Sequence, residues 1–202
     1  MKKYQIRNMV IAAMLIALCV VLPIAFHSIP DGGSIFLPMH IPVLICGMRC
    51  GWPYGFICGL LGPLLSSVIT GMPPAAYLPP MMVECAVYGL TSGLMLRFVR
   101  TGKLFGDLYI ALTAAMLAGR IVSGNAKALI FAPGMSLAVW VTGSFVTALP
   151  GIVIQLALIP YLVQLLMKTK FLPQRDPKEA QNWTSRLFSP VLTVWLPAGT
   201  RI

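Results

Sequence analysis

The chain has 202 residues, 58% of them hydrophobic and only 10% charged, with a formal net charge of +10 and a mean hydropathy of +0.85. That apolar share is too high, and the charged share too low, for an ordinary soluble domain, so lipid is the natural solvent. The cations stand between apolar runs rather than in one patch, a pattern that sets membrane topology and argues against nucleic acid as a partner.

A helix needs about 20 mostly apolar residues to cross the hydrocarbon layer, and irregular backbone cannot face lipid. The runs therefore read as an all-α integral membrane protein, a compact bundle of six transmembrane helices over residues 1–170. The first covers about residues 9–26. Its basic lead, Lys2, Lys3 and Arg7, resembles the start of a secretory signal. The run is long for such a segment, residues 25–28 make a weak cleavage site, and more apolar runs follow, so it is read as a retained span.

The second run, about 36–48, is short and opened by Pro38 and Pro42; the third is about 52–69, the fourth 80–96 and the fifth 108–131. The sixth, about 137–167, is longer than a membrane requires and contains Pro150 and Pro160, which predicts a tilt, a kink or a projection beyond the bilayer. Small residues recur at fourfold spacing: Gly47, Gly51, Gly55 and Gly59, then Gly89 and Gly93, and Ala13 and Ala17 in the first run. Close backbone approach between helices is their usual meaning, with a smooth patch for a partner subunit as the rival reading of the alanine pair. Cys19, Cys46, Cys50, Cys58 and Cys85 all fall in apolar stretches and read as buried small side chains rather than disulfides or metal ligands.

With the N-terminus cytoplasmic, thirteen of the fifteen cations fall on inner segments: Lys2, Lys3, Arg7, Arg49, Arg97, Arg100, Lys103 and the six of residues 168–201. The outer loops, about 27–35, 71–79 and 132–136, carry none, which places both termini in the cytoplasm. Residues 171–202 turn polar and are too interrupted to span. They form a cytoplasmic tail, either poorly ordered or resting on the membrane through Trp183, Phe188 and Trp195.

Three ionisable residues remain inside the spans, Glu84 in the fourth and Arg120 and Lys127 in the fifth, and such groups usually face the bundle interior or a water-filled cavity. At about 1.5 Å of rise per residue, Glu84 and Arg120 reach similar depth. Arg120, Ser123, Gly124 and Lys127 have helical offsets that place two cations, a hydroxyl and a small residue on one face, open to an anionic or polar ligand from outside. The competing reading is a Glu84–Arg120 ion pair that only ties two helices together, with Lys127 snorkelling to the outer headgroups.

His27 and His40 bracket the first outer loop, but the nearby donors, Asp31 and some methionines, make a weak metal set. Hydrogen bonding within the loop or to a ligand is the better account, and no metal is expected. There is no G-x-x-x-x-G-K-[ST], no G-x-S-x-G and no H-E-x-x-H, and Glu84 is the only carboxylate within a span, so no catalytic residues are nominated.

Six short spans, the Ala13 and Ala17 pair, and above all the segment LPMHIPVLICGMRCGWPYGFICGLLGPLLSSVITGMPP at residues 37–74 carry a family resemblance. The chain resembles the substrate-binding S component of an energy-coupling factor (ECF) vitamin transporter over about residues 6–167. The resemblance implies a bundle that holds a vitamin or vitamin precursor near its outer face, gated by the loops after spans one and three, which map to about residues 27–38 and 71–79. It implies partners as well: a transmembrane coupling subunit, against which Ala13 and Ala17 would rest, and two cytoplasmic ATPases that use ATP. No cofactor is expected in this chain itself.

By the same resemblance the substrate-binding residues are Glu84, Arg120, Ser123, Asn125 and Lys127, with His40 at the loop edge and Asn125 off the main polar face. The cobalt and nickel members of the class carry their key His next to the starting Met, whereas His40 is internal, which again disfavours metal. Two cations favour a substrate with a carboxylate or phosphate, pantothenate being one example. If Glu84 neutralises Arg120, a neutral ring is acceptable instead. An ion-coupled secondary transporter of a small metabolite, with Glu84 as proton carrier, is the alternative, although paired halves with broken helices are not evident. A membrane enzyme or assembly factor ranks below both.

Overall fold

The computed structural model describes residues 2–26, 38–99, 104–131, 137–142, 146 and 149–168, and among these every regular element is helical. In chain order they are α1 (Lys2–Phe26), α2 (His40–Cys50), α3 (Trp52–Thr70), α4 (Leu78–Phe98), α5 (Leu104–Ala126) running on into a π-helical turn (Lys127–Phe131), α6 (Leu137–Val141) and α7 (Leu149–Lys168). Three of them are long and apolar enough to cross a membrane, over Gln5–Ala25, Trp52–Thr70 and Phe105–Ala126.

α1 to α5 run alternately up and down. Gly47 of α2 and Gly55 of α3 both meet Gly89 of α4, Gly59 of α3 meets Cys85, and Gly93 meets the start of α3 at Trp52. On the other flank of α4, Gly119 of α5 abuts Tyr88, and α1 packs on α2 and α3. One end of the bundle therefore gathers the starts of α2 and α4 with the ends of α3 and α5. The opposite end gathers Arg7, Arg49 and Arg97, so the described cations outside α5 and α7 segregate to one end, as their spacing along the chain implies.

α4 is long enough to cross but is not one of the three apolar helices, and its position explains why. It packs against α2, α3 and α5 and carries the interior polar groups Glu84, Tyr88 and Ser92, so its surroundings are protein rather than lipid. α2 has 11 residues, and eight of them, from His40 to Cys50, are buried. A helix buried on nearly all sides has no need of amphipathic patterning or of bilayer length.

The glycine spacing reports close approach at most positions but not at Gly51. Gly51 has φ of 94° and nothing nearer to its Cβ position than Pro53 Cδ at 3.8 Å. It is the single residue between α2 and α3, and reversing a helix in so short a link needs a backbone region that side chains disfavour. At Gly55 and Gly89 the constraint is contact: a Cβ on either would collide with backbone atoms of the other. Ser92, fully buried, fills the same seam and donates to the Gly89 carbonyl at 3.3 Å.

Two further expectations change. Within the expected sixth span the structure describes α6 and α7 separately, with Pro150 in the first turn of α7, where its missing N–H would lack an intrahelical partner in any case; Pro160 lies inside α7. α1 begins at Lys2, so the basic lead continues the helix instead of preceding it. All five cysteines are buried and unbridged. The outer-loop expectations at 27–35 and 132–136 fall outside the described residues, as does the tail 171–202.

The loop between α3 and α4 is described and is tied to the helix it leaves. Ser66 donates to the Met72 carbonyl and Ser67 to the Pro73 carbonyl, each at 2.8 Å, while Thr70 accepts from the Met72 N–H at 3.2 Å. The seam yields a prediction for stability. Gly89→Ala should cost about 1–3 kcal/mol by overpacking, whereas Gly71→Asn, at φ of 73° with open space around it, should cost well under that because Asn tolerates the left-handed region. Thermal unfolding of the purified protein in detergent measures both.

Candidate functional site

Glu84 stands in the second turn of α4 with its side chain half-buried. The Tyr88 hydroxyl, one turn further along the same helix, donates to Glu84 Oε1 at 2.7 Å. From α5, the Ser123 hydroxyl lies 3.3 Å from Glu84 Oε2 and 3.4 Å from the carbonyl oxygen of Arg120. Both carboxyl oxygens of Glu84 therefore face hydroxyl donors, one from its own helix and one from the neighbour.

The cluster extends to α2 through the Tyr88 ring. His40, 2% exposed, packs edge-on to that ring with centroids 5.0 Å apart and planes at 67°, a geometry that aromatic pairs prefer over face-to-face stacking. The other side of the ring lies on Gly119, where a Cβ would collide with it. Arg120, 4% exposed, is within electrostatic reach of the Tyr88 hydroxyl. Three helices thus bring an acid, a guanidinium, two hydroxyls and an imidazole into one region near the end of the bundle away from Arg7, Arg49 and Arg97.

Each nominated residue has a definite place. Glu84, Ser123 and Arg120 share the cluster, and Gly124 is buried on the same face of α5. His40 adjoins the turn at Pro38 and Met39 as the first residue of α2, and its side chain is buried. Lys127 is half-buried and opens the π-helical turn, which changes the winding of α5 beyond Ala126. Asn125 is exposed: at 100° per residue it points away from the face of Arg120, Ser123 and Gly124, and it is not part of the cluster. His27 and Asp31 lie outside the described residues.

Tyr88 was not among the nominated residues, yet it joins the three helices. Its signal was present as an acid and a phenol four residues apart, Glu84 and Tyr88, the spacing that places two side chains on one helical face. Gly119 is legible only with the ring in place. Among the described residues no group of three or more His, Cys, Asp or Glu side chains could hold a metal ion.

Because Tyr88 serves both as donor and as packing, its two roles separate by substitution. Tyr88→Phe, which keeps the ring against His40 and Gly119, should cost about 1 kcal/mol for the lost hydrogen bond. Tyr88→Ala should cost about 3–5 kcal/mol, since it also leaves a cavity between three helices. Denaturation midpoints in detergent distinguish the two.

No curated protein and no solved structure matches the chain. The family model described as the ECF transporter, substrate-specific component, matches residues 7–163, which takes in every helix from the second turn of α1 to most of α7 and all of the cluster just described. That is a transporter component and not an enzyme family, and three of the helices are long and apolar enough for a membrane. The chain belongs to the family of ECF transporter substrate-specific components.

Proposed function

We propose that the chain is a multi-pass protein of the cell membrane that captures a vitamin or vitamin precursor at its outer face and hands it inward with an ATP-driven partner module. The observation that carries this reading is the cluster itself. Glu84, Tyr88, Ser123, His40 and Arg120 are drawn together inside an apolar bundle, where polar groups are costly unless they have a task. Their end of the bundle is the one opposite the arginines, and the positive-inside rule turns that end outward, with both termini inward.

In this reading Arg120 meets the anionic or polar end of the substrate, Glu84 and Ser123 its hydrogen-bonding groups, and His40 with Tyr88 an apolar or ring portion. Lys127, half-buried above Arg120, meets the substrate on its way in. A carboxylate-bearing substrate such as pantothenate suits the two cations. The loop 71–79 closes over this end, and the expected tail of residues 171–202 lies in the cytoplasm.

Energy comes from partners: a transmembrane coupling subunit and two cytoplasmic ATPases, ATP being used there. Ala13 and Ala17 are both exposed on α1, among the exposed apolar side chains Val10, Met14 and Val21. Two small residues one turn apart leave a shallow track along which another helix can approach closely.

Two experiments test the reading. Purified protein should carry one small molecule identifiable by mass spectrometry and rebind it without ATP. Arg120→Ala should weaken that binding about 10- to 100-fold, the scale of a lost charge-assisted hydrogen bond, while leaving the helical content intact; unchanged affinity would remove Arg120 from the site. Separately, Ala13→Trp with Ala17→Trp should abolish co-purification with the coupling subunit and leave substrate binding by the isolated chain unaltered. Loss of both together would point to misfolding instead of a partner surface.

A further inference from the structure

The arginine end of the bundle has chemistry that substrate capture does not use. Arg49 occupies the last turn of α2 and Arg97 the last turn of α4. Arg7 on α1 and Arg49 both lie within electrostatic reach of Cys50. α4 closes on the same turn, since a Cβ at Gly93 would come within 2.5 Å of the Trp52 nitrogen, and Arg97 stands one helical turn beyond Gly93.

Arg49 is half-buried, and two of its guanidinium nitrogens, Nε and Nη2, are shielded from solvent with no hydrogen-bond acceptor. A guanidinium stays charged at any physiological pH. Stripping its donors of water without supplying an acceptor is expensive. A position in the last turn of a helix gives a cation some relief from the helix dipole, but it does not satisfy the N–H groups. Asp107, the acid at this end among the described residues, is buried and makes no hydrogen bond to these two nitrogens. The side chain is thus arranged for an acceptor that the described residues do not provide.

Phosphate is an acceptor that the planar fork fits, through two parallel hydrogen bonds. The surroundings select its source. Trp52 and Tyr54, both half-buried, follow Arg49 directly, and Trp and Tyr near cations mark the headgroup level of a bilayer. Beside Arg7, the α1 residues Ile6, Met9 and Val10 are 59%, 60% and 54% exposed, an apolar strip against which acyl chains can lie. We propose that Arg49, supported by Arg7 and Arg97, forms a binding site for the phosphate of an anionic phospholipid at the arginine end of the bundle. The proposal rests on the membrane reading of the chain and not on the identity of its substrate.

The test uses the full chain purified in detergent, titrated with phosphatidylglycerol, phosphatidylcholine or inorganic phosphate, with native mass spectrometry and thermal unfolding as readouts. Phosphatidylglycerol should be retained and should raise the unfolding temperature more than phosphatidylcholine does. Arg49→Gln should weaken its retention roughly fivefold or more, the scale of one cation at an anionic surface, and Arg49→Lys should weaken it less. Substrate affinity should be the same in all three proteins.

Equal retention of the two lipids by the unsubstituted chain would overturn the proposal, whether or not Arg49→Gln folds. So would stabilisation by inorganic phosphate to which phosphatidylglycerol adds nothing, which would make this a free-phosphate site. If there is no lipid preference and Arg49→Gln loses the coupling subunit, the missing acceptor is a carboxylate of that partner, and the lipid assignment falls.

Discussion

The closest constraint in the molecule is the glycine seam where α2, α3 and α4 meet with almost nothing between their backbones. Gly47, Gly55 and Gly89 exclude side chains there because carbonyl and Cα atoms of the neighbouring helix already occupy the space. In lipid no hydrophobic force drives helices together, so this contact must supply cohesion through van der Waals packing. Everything else is positioned from it: α4 is held at the centre, its Tyr88 reaches His40 on α2, and its Glu84 reaches Ser123 on α5.

Holding α4 at the centre also decides its chemistry. A helix surrounded by three others can carry an acid, a phenol and a buried hydroxyl that a lipid-facing helix could not. The cost of burying Glu84 is offset locally, because hydroxyls from two helices meet its two oxygens. Under the proposed reading such a cluster is pre-arranged before the substrate arrives, which reduces what binding must spend on ordering the site. The opposite end of the bundle shows the contrast, since there the two shielded Arg49 nitrogens have no acceptor among the described residues.

Much of this was legible in the chain, and the exceptions have physical causes. Helix type and order followed from apolar run length, and the segregation of Arg7, Arg49 and Arg97 followed from charge spacing. The shared region of Glu84, Arg120 and Ser123 came from counting residues along two helices, since depth depends only on rise. What counting could not supply was rotation and partner. Gly51 sits in the fourfold glycine series yet serves a turn, and only its φ separates the two roles. Asn125 lies two residues from Ser123 and faces elsewhere, while Tyr88 shows its spacing from Glu84 in the chain but its contact with His40 only once a second helix is placed beside it.

The one-residue link at Gly51 has a consequence for how the protein can change shape. Helices joined so tightly, and locked along their length to α4, cannot part without breaking the seam, so α2, α3 and α4 behave as a single wall. The loop after α3 is stitched to that wall by Ser66 and Ser67 and travels with it. Under the proposed reading, opening the polar end then comes from elements outside α2, α3 and α4, or from these three helices moving as a unit.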